Sequence, residues 1–562
     1  MTCSDWGGRL VPYPEDLAAR YRANGVWSDK PLGARLHQTA RQFPDRPAVI
    51  TTEGSTTFAE LDRRTDQIAA GFLALGLRRR DPVIFQSTNR LETVLAWYGC
   101  LKAGLIPVAT LAAHRMHEIG HISRKVGAVA HIAEAGLPSF DLVAFAHEHA
   151  HDHPTMRHII TIGSPRADTT ITQLEELGLD LSPEVARATV EQIESEIDSC
   201  DVAVFQLSGG TTGVPKVIPR IHAEYWDNAR LYAERLGWDE QSRVAHLGPI
   251  VHNAGITAAL HAAHSVGACL VLATPEASSA MELITRTKVT AVIFGQSLYR
   301  ALSKPEFSLD RTSLKRVILS GAKVSPELFE HADAGDARWA GQLFGMGEGL
   351  FVVTPLDAPA KARQTTVGTP ISSDDEVRIL EPGTENDLPD GSVGELCCRG
   401  PYTIRGYFDA AEHNRAAFTS DGFYRTGDLA AFTTIDGERY LSIEGRIKDL
   451  INRGGEKINA EELELLLLDH PGIANAAVVA MPDPRLGEKT CAYLVAEGQP
   501  LSLNDIQNHL EKLGVAKFKW PERLEWVDAF PRTNVGKTDK KRLRNEIAEK
   551  LSAETDTRRA VV

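Results

Sequence analysis

The chain lacks the features of several large protein classes. It has no excess of positive charge, since 75 acidic and 61 basic residues give a formal net charge of −14, which argues against a general nucleic-acid binder. Its 7 cysteines are an odd number and show no metal-type spacing, so we expect reduced thiols. No uncharged apolar run reaches the roughly 18 residues of a membrane span, and no basic segment followed by an apolar run opens the chain. We therefore expect a cytoplasmic protein that does not cross a membrane.

At 562 residues, with 43% hydrophobic and 24% charged residues, the chain has the composition of a large globular protein with several folding units. From about residue 30 to about 300, helical periodicity alternates with short apolar runs. Phe58 to Leu75 and Leu91 to Ala103 are predicted helices, and Pro82 to Gln86 is a predicted strand. This alternation predicts a parallel sheet flanked by helices. Beyond about residue 365, short strands separated by turn residues predict a small β-rich subdomain.

The last part of the chain has its own set of predicted elements. A helix is predicted over Ala460 to Asp469, a strand over Ala476 to Ala480, and a basic helix from near Lys540. We therefore predict an α/β fold class with two domains. The large N-terminal domain, residues 1–447, contains the parallel-type sheets, and residues 448–562 form a small C-terminal α+β lobe.

A loop rich in glycine and hydroxyl residues, SGGTTGVPK, is the most informative segment of the chain. Glycines let the backbone turn sharply and bring its N–H groups close to an anion, while hydroxyls and a lysine add donors and a positive charge. The preceding apolar run, Val202 to Leu207, predicts a buried strand, so the loop is expected at a strand's carboxyl end, where α/β sheets bind ligands. We predict a phosphate site formed by Ser208, Gly209, Gly210, Thr211, Thr212, Gly213 and Lys216.

Two other interpretations compete for this loop. A Walker P-loop needs a lysine directly after the last glycine, followed by Ser or Thr. Here Val214 and Pro215 separate Gly213 from Lys216, and Val217 follows the lysine, so the Walker interpretation fails on both requirements. A glycine-rich turn without a ligand stays open when the loop is considered alone.

Further groups suited to a nucleotide follow the loop in order. Small residues in SGAK, Ser320 to Lys323, can let an adenine lie flat against the backbone, and FGMGE, Phe344 to Glu348, offers an aromatic ring and a carboxylate suited to Mg²⁺. YRTGD, Tyr424 to Asp428, places in a turn a carboxylate that can accept both ribose hydroxyls. Arg446 and Lys537 can each neutralise phosphate charge. Each group alone is more compatible with a structural role, and it is their order that indicates a nucleotide enzyme.

The run of SGGTTGVPK, FGMGE, YRTGD, GRIKDLINRGGEK and NVGK resembles the adenylate-forming superfamily, which includes acyl-CoA synthetases, nonribosomal peptide adenylation domains and luciferases. The resemblance covers nearly the whole chain. The AHR of Ala113 to Arg115, the HN of His252 and Asn253, RGPYTIRGYF and INRGGEK further resemble stand-alone aryl-acid ligases of the 2,3-dihydroxybenzoate and salicylate type.

The resemblance implies a two-step reaction. A carboxylate attacks the α-phosphate of MgATP to give an acyl-AMP and pyrophosphate, and a pantetheine thiol, of CoA or of a carrier protein, then takes the acyl group. By this resemblance Lys537 is the main catalytic residue, placed where charge builds at the α-phosphate, and Glu348 binds Mg²⁺. The glycine-rich loop would hold the β- and γ-phosphates, and the rest of the nucleotide would bind to Gly321, Ala322, Phe344, Gly345, Asp428 and Arg446.

The resemblance also implies that the C-terminal lobe is mobile. It would swing after adenylation, removing Lys537 from the site and presenting a different face to the thiol. Lys448 matches the hinge residue of this motion. Gly454, in NRGGEK, is expected to line the pantetheine tunnel, because a residue without a side chain lets the thiol arm pass.

His252 and Asn253 match the aryl-acid subgroup, in which the asparagine is implied to bind a hydroxyl ortho to the carboxylate. Ala254 stands where that subgroup has an aromatic residue, Ala258 where it has a serine or cysteine, and Gly321 is expected beside the acid as well as the nucleotide. Two small apolar residues favour a bulkier or less hydroxylated ring, of naphthoate or quinoline type. Refilling of the space by neighbours would keep simple salicylate as the substrate, and both alternatives stay open.

Two further interpretations belong to other classes. A degenerate member that binds a nucleotide without catalysis would have lost the lysine of NVGK or the glutamate of FGMGE, and both are present.

A histidine-rich segment has pairs four residues apart, which could bind a metal on a helix. We interpret it as a solvated helix end before Pro154 and give it no function, since no second cluster completes a site. Its histidines are His147, His149, His151, His153 and His158.

Overall fold

The structure of the protein is a computed structural model that describes residues 6–163, 172–208, 215–273, 276–295, 298–302, 313–321, 324–334, 338–454, 456–533 and 537–560. Within these residues the chain divides into two compact units. The first comprises the described residues up to 376 together with 398–424, and the second comprises 377–397 and 425–560. The boundary between residues 447 and 448 stays a prediction.

The described helices and strands alternate along most of the chain. None of the described helices combines the length and the apolar character that a bilayer-spanning helix needs. The strands are β1 (Pro47–Ile50), β2 (Ser55–Thr57), β3 (Pro82–Gln86), β4 (Ile106–Val108), β5 (Ala130–Glu134), β6 (His158–Ile162), β7 (Thr172–Gln173), β8 (Val202–Leu207), β9 (Val217–Ile221), β10 (Arg243–His246), β11 (Cys269–Leu272), β12 (Ala291–Gly295), β13 (Arg316–Ser320), β14 (Trp339–Gly345), β15 (Phe351–Val353), β16 (Thr369–Pro370), β17 (Glu376–Leu380), β18 (Gly394–Arg399), β19 (Tyr424–Ile435), β20 (Glu438–Arg446), β21 (Leu450–Arg453), β22 (Glu456–Asn459), β23 (Ile473–Asp483), β24 (Gly487–Ala496) and β25 (Arg523–Trp526). The α-helices are α1 (Glu15–Ala23), α2 (Leu32–Gln42), α3 (Phe58–Ala74), α4 (Leu91–Lys102), α5 (Met116–Val126), α6 (Leu142–Asp152), α7 (Pro183–Glu194), α8 (His222–Arg235), α9 (Ala262–Ser265), α10 (Ala277–Arg286), α11 (Tyr299–Leu302), α12 (Pro326–Asp333), α13 (Ala360–Thr365), α14 (Ala411–Ala417), α15 (Ala460–Leu468), α16 (Leu503–Lys512) and α17 (Lys540–Ala560).

Two largely parallel sheets form the first unit and confirm the predicted α/β class. One has seven strands in the order β7-β6-β5-β3-β4-β8-β9, and only β8 and β9 pair antiparallel. The other has nine strands in the order β16-β15-β14-β13-β12-β10-β11-β1-β2, with antiparallel pairs only at its ends. Strands covered on both faces are expected to be apolar along their whole length, and β3 is buried at every residue.

The β-rich segment and the C-terminal elements are confirmed as well. Strands β17 to β20 form a four-stranded sheet, and β21 to β25 form a five-stranded sheet in the second unit. Along β23, Ala476 and Val478 pack with residues of α15 and α16, whereas Ala477 and Val479 pack with Leu543 of α17. Because side chains alternate between the faces of a strand, helices can cover both faces of this sheet.

The interpretation of the histidine-rich segment as a solvated helix end is wrong for two of its members. His147 and His151 are exposed on α6, but His149 and His153 are buried. The Nδ1 of His149 lies 3.0 Å from the Nδ1 of His131 on β5. Burial lowers the pKa of His149 to about 4. Residues four apart share one helix face, so this side of α6 is buried, and the His149 imidazole packed on β5 is neutral near pH 7.

A backbone collision at Gly349 gives a test of the fold beside the FGMGE segment. Gly349 has φ +127°, and a Cβ there would lie 1.5 Å from the carbonyl oxygen of Tyr402. At Gly76, φ is +93° but a Cβ would meet nothing within 4 Å. We expect Gly349→Ala to lower Tm by at least about 4 °C more than Gly76→Ala, since only the first adds a collision to backbone strain. Thermal unfolding followed by circular dichroism measures both, and equal shifts would contradict the collision.

Candidate active site

The described ends of the glycine-rich loop are tied together at the carboxyl end of β8. Leu207 lies opposite Val217 in the antiparallel pair of β8 and β9. Next to this pair, the N–H of Ser208 donates to the carbonyl of Lys216 at 3.0 Å, and the N–H of Lys216 donates to the Ser208 hydroxyl at 3.0 Å. The two ends of the predicted phosphate loop are therefore held side by side. Residues 209–214 of the loop lie outside the described part of the chain, and they include five of the predicted phosphate ligands, Gly209, Gly210, Thr211, Thr212 and Gly213.

Glu348 and the lysine of the loop meet at one tyrosine. The Tyr407 hydroxyl donates to Oε1 of Glu348 at 2.6 Å and lies 2.8 Å from the Tyr424 hydroxyl. The Nζ of Lys216 lies 5.3 Å from the centre of the Tyr407 ring, a cation–π contact. Desolvation and the charge of buried Glu348 raise the pKa of Tyr424 well above its usual value. Two motifs that are far apart in the sequence thus form one cluster.

A buried ion pair supports the segment that contains Glu348. Arg220 has no exposed surface and donates to both carboxylate oxygens of Glu224, at 2.8 and 2.6 Å. It also donates to the carbonyl oxygens of Gly347 at 2.9 Å and Tyr402 at 3.3 Å. A buried charge is tolerated when it is paired and hydrogen-bonded. This guanidinium therefore holds the backbone directly before Glu348.

Asn253 is buried in a hydrogen-bonded cluster at the start of an unusual helix. Its Oδ1 accepts from the hydroxyls of Tyr225 at 3.0 Å and Thr257 at 3.2 Å, and its Nδ2 donates to the carbonyl oxygen of Met346 at 3.4 Å. The following residues, Ala254–His261, form a π-helix. Such wide turns are frequent at functional sites. The contact with Met346 joins the predicted acid site to the FGMGE segment.

Two segments predicted to bind the nucleotide begin at neighbouring strand ends. Strands β13 and β14 are adjacent and parallel. Gly321 follows β13 with φ +95°, a left-handed conformation that favours glycine, and Phe344 and Gly345 end β14. Because the carboxyl ends of parallel strands meet at one edge of a sheet, SGAK and FGMGE start side by side. Ala322 lies outside the described residues.

The other candidates for the acid site differ in exposure. His252 is partly exposed, and its Nδ1 accepts from the N–H of Ala254 at 3.4 Å. Desolvation and the nearby His252 lower the pKa of buried His246 to about 4, so the His246 ring is neutral. Ala254 is partly exposed, whereas Ala258 has no exposed surface. Of the two alanines, Ala254 is the one with accessible surface in this structure.

The second unit brings together three of the predicted nucleotide and catalytic residues. Asp428 and Arg446 lie opposite each other on β19 and β20, and the Nε of Arg446 is 2.8 Å from Oδ1 of Asp428. Desolvation and the positive charge of Arg446 lower the pKa of Lys537, while Asp428 opposes this shift. The N–H of Lys537 donates to the Thr533 hydroxyl at 3.2 Å. The ammonium group of Lys537 therefore shares one electrostatic environment with this ion pair.

Lys448 and Gly454 flank β21 in the second unit. Lys448 lies in a short 3-10 helix, Ile447–Asp449, where desolvation and Arg446 lower its pKa to about 8. Gly454 follows β21 with φ +60°, and its N–H donates to the carbonyl of Leu486 at 2.8 Å. This backbone conformation suits glycine. The hinge and tunnel roles of the two residues stay predictions.

Two protein-family models cover most of the chain. The model described as AMP-binding enzyme matches residues 36–408. The model described as AMP-binding enzyme C-terminal domain matches residues 462–537. This chain belongs to the AMP-binding enzyme family. The first match includes the glycine-rich loop and FGMGE, and the second ends at Lys537.

Similar members of this family match over nearly their whole length. A salicylyl-CoA synthase / salicylate adenylyltransferase from a Streptomyces species is 38% identical, over 97% of this chain and 98% of its own. A 2-hydroxy-7-methoxy-5-methyl-1-naphthoate–CoA ligase from Streptomyces carzinostaticus is 36% identical, over 95% of this chain and 96% of its own. The apo structure of MbtA from Mycobacterium smegmatis is 36% identical and has a TM-score of 0.72, covering 96% of this chain and 99% of that one.

The residues that position the candidate site of this AMP-binding enzyme have no recognised motif of their own. Tyr225 and Thr257 contact Asn253, and Arg220 holds the backbone before Glu348. Tyr407 lies in the RGPYTIRGYF segment, but its sequence position does not reveal its contact with the glutamate. The available cue is chemical, since a hydroxyl residue inside an apolar run is often hydrogen-bonded when buried.

Glu348 fits the expected magnesium ligand of an AMP-binding enzyme. Among the described residues, no group of three or more His, Cys, Asp or Glu side chains is placed to bind a metal without further ligands. Mg²⁺ is commonly bound by one or two carboxylates together with substrate phosphates, so one carboxylate beside a phosphate loop suits it. The Tyr407 hydroxyl donates to Oε1 of Glu348 and so orients this carboxylate.

Removal of the Tyr407 hydroxyl tests this orientation of Glu348. We expect Tyr407→Phe to raise the Mg²⁺ concentration for half-maximal activity about three- to tenfold, because the carboxylate loses the hydrogen bond that orients it. ATP–pyrophosphate exchange measured over a series of Mg²⁺ concentrations gives this value. Saturating Mg²⁺ should restore most of the rate, and a loss that Mg²⁺ cannot restore would contradict the assigned role.

Proposed function

We propose that this AMP-binding enzyme activates an aromatic 2-hydroxy carboxylic acid with ATP and transfers the acyl group to a pantetheine thiol. The observation that supports this best is the Met346–Glu348 segment, which contacts the Asn253 amide at one end and has the expected magnesium carboxylate at the other. The ring of an acid and the phosphates of ATP would meet on this one turn. The names of the similar enzymes, which act on salicylate and on a hydroxynaphthoate, support the aromatic class.

In the first step, a carboxylate oxygen of the acid attacks the α-phosphorus of ATP. The bond from this phosphorus to the bridging β-phosphate oxygen breaks, which releases pyrophosphate and leaves aryl-AMP. The loop from Ser208 to Lys216 holds the β- and γ-phosphates, and Mg²⁺ bound by Glu348 would neutralise part of their charge. In this proposal Lys537 acts on the α-phosphate, where a fixed cation would stabilise the transition state more than the ground state.

The nucleoside part of ATP has two sets of candidate binding residues in this proposal. Asp428 accepts hydrogen bonds from the ribose hydroxyls, and its ion pair with Arg446 holds the carboxylate in position. The adenine lies against residues that follow β13 and that end β14. These residues are Gly321, Ala322, Phe344 and Gly345.

In the second step, the thiol attacks the carbonyl carbon of aryl-AMP, the bond to the AMP oxygen breaks, and AMP leaves with that oxygen. We assign the hinge of the lobe, residues 448–562, to Lys448, so that Lys537 leaves once the adenylate has formed. Gly454 lines the path of the pantetheine arm, since its left-handed conformation and lack of a side chain permit a close approach. The names of the two ligases described above contain CoA, and since CoA and a carrier protein present the same thiol, both stay candidate thiol substrates.

The size of the acid is tested at Ala254, the partly exposed alanine after Asn253. We expect Ala254→Phe to lower kcat/KM for 2-hydroxy-1-naphthoate at least about tenfold, and for salicylate by less, because the added ring fills space that only the bicyclic acid needs. Pyrophosphate exchange with both acids measures this. If salicylate outperforms every bicyclic acid with the unchanged protein, the enlarged pocket is wrong and salicylate is the substrate size.

The role of Lys537 is tested by separating the two steps. We expect Lys537→Ala to lower adenylation at least about a hundredfold, since it removes the charge that acts at the α-phosphate, and to change thioester formation from added aryl-AMP less than about threefold. The readouts are pyrophosphate exchange and the release of aryl-CoA from aryl-AMP and CoA.

The same experiment distinguishes the alternatives. Equal loss in both steps would contradict the swinging lobe. No aryl-CoA from the unchanged protein, with normal pyrophosphate exchange, would indicate a carrier protein as the thiol substrate. No exchange with any aromatic acid would indicate a member of the family that binds a nucleotide without this chemistry.

A further inference from the structure

The 400–410 segment, between β18 and α14, is irregular but buried over most of its length. The structure describes all of its residues, and none of them belongs to a helix or a strand. Buried backbone N–H and C=O groups need hydrogen-bond partners, and an irregular segment must find them outside a regular ladder. The partners of this segment therefore decide where it lies.

Two hydrogen bonds join this segment to Glu348, and one joins it to the strand that follows the phosphate loop. The N–H of Ile404 donates to the carbonyl oxygen of Glu348 at 2.9 Å, and the Tyr407 hydroxyl donates to the carboxylate of the same residue at 2.6 Å. The N–H of Phe408 donates to the carbonyl oxygen of Val217 at 2.9 Å. The expected magnesium ligand and the end of the phosphate loop thus share one support.

Three successive carbonyl oxygens of the segment, those of residues 401–403, each accept a hydrogen bond from a distant side chain. The donors, in the order of the carbonyls, are the Trp27 indole at 2.8 Å, the Arg220 guanidinium at 3.3 Å and the Tyr13 hydroxyl at 2.7 Å. Two of these three donors come from the start of the chain, where the sequence shows no motif for a nucleotide.

The N-terminal segment, residues 6–27, also accepts hydrogen bonds from the 400–410 segment. The Tyr402 hydroxyl donates to the carbonyl oxygen of Val26 at 3.2 Å. The N–H of Asp409 donates to the carbonyl oxygen of Arg9 at 2.7 Å. The N-terminal segment therefore holds the 400–410 segment near both of its ends.

We propose that the N-terminal segment is a positioning element of the candidate active site, which raises the affinity for Mg²⁺ by holding Tyr407 against Glu348. This inference rests on the proposed function, which assigns the magnesium to that carboxylate. Tyr13 and Trp27 are positioning residues, since they act through the 400–410 segment. Removal of either donor leaves a carbonyl oxygen of a buried residue unpaired, so the segment can shift away from the carboxylate that it orients.

The test is the Mg²⁺ concentration for half-maximal ATP–pyrophosphate exchange with full-length protein. We expect Tyr13→Phe and Trp27→Phe, combined in one variant, to raise it at least about fivefold, because two carbonyl oxygens lose their donors. Tyr13→Phe alone is a milder variant, for which we expect at least about twofold. Saturating Mg²⁺ should restore most of the rate, whereas a damaged fold would lower the rate at every Mg²⁺ concentration and would overturn the inference.

A second tyrosine–tryptophan pair provides a matched control. In both pairs the rings pack edge to face, with centres 4.8 Å apart for Tyr13 and Trp27 and 5.5 Å apart for Tyr232 and Trp238. The Tyr232 hydroxyl and the Trp238 indole nitrogen are buried and have no hydrogen-bond partner among the described residues. Tyr232→Phe combined with Trp238→Phe removes the same atoms and should leave the Mg²⁺ dependence unchanged.

Combination with Tyr407→Phe tests the route of the effect. If the N-terminal segment acts through Tyr407, its two substitutions should raise the half-maximal Mg²⁺ concentration of Tyr407→Phe less than about twofold. Substitutions that act independently multiply their factors instead. A factor as large as in the protein with Tyr407 would overturn the inference.

A second readout needs neither the acid nor turnover. Calorimetry of ATP binding at several Mg²⁺ concentrations should show the same rise in the N-terminal variant and no rise in the control. Equal shifts in both pairs, or no shift in either, would overturn the inference and leave the proposed adenylation standing. Absence of exchange with every aromatic acid, together with a shift in ATP binding confined to the N-terminal variant, would overturn the proposed acid chemistry and support the positioning role.

Discussion

The buried ion pair between Arg220 and Glu224 is the interaction on which the candidate site of the first unit depends. Arg220 lies on β9 and pairs with Glu224 on α8. It also donates to the carbonyl oxygens of Gly347 and Tyr402. Its guanidinium carbon lies 4.5 Å from the centre of the Tyr225 ring. Loss of one partner of such a pair leaves a buried charge unpaired, at a cost of about 3–5 kcal/mol. Three separate segments, the continuous β9–α8 stretch and the backbone at Gly347 and at Tyr402, are therefore held in one arrangement around this charge.

In this arrangement, the residue that contacts Asn253 and the proposed magnesium ligand are almost adjacent in the chain. Met346 contacts the Asn253 amide, which is proposed to bind the acid, and Glu348 contacts the tyrosine that also contacts Lys216. Gly347 lies between them, where a Cβ would be 2.8 Å from Cδ1 of Ile218. Binding of the aromatic ring at Asn253 would thereby bring the carboxylate of the acid to the phosphates of ATP. Such positioning replaces a rare encounter in solution by a prearranged one and contributes much of an enzyme's rate enhancement.

Predictions that depend on local chemistry are confirmed closely. Strand β8 ends at Leu207 as predicted, and α3 begins at Phe58 because Thr57 and Glu60 form a capping box at its start. The π-helix was not predicted, since the apolar run AGITAALH gives no sign of its wider turn. The burial of His149 was also missed, because it depends on packing against a sheet whose contacts its own segment does not encode.

Residue types and their order alone indicate the reaction class, because phosphate loops, carboxylates and lysines have the same chemistry wherever they occur. They also place the glycine-rich loop after β8, which is a local property, but the predicted turn at YRTGD is wrong, because Tyr424 to Asp428 begin β19 and Asp428 pairs with Arg446 on β20. Tertiary structure alone decides how the Asn253 amide is oriented. An amide can either donate or accept, and its direction is set by Tyr225, 28 residues earlier, and by Met346, 93 residues later. Such distant partners meet only through the packing of the whole first unit.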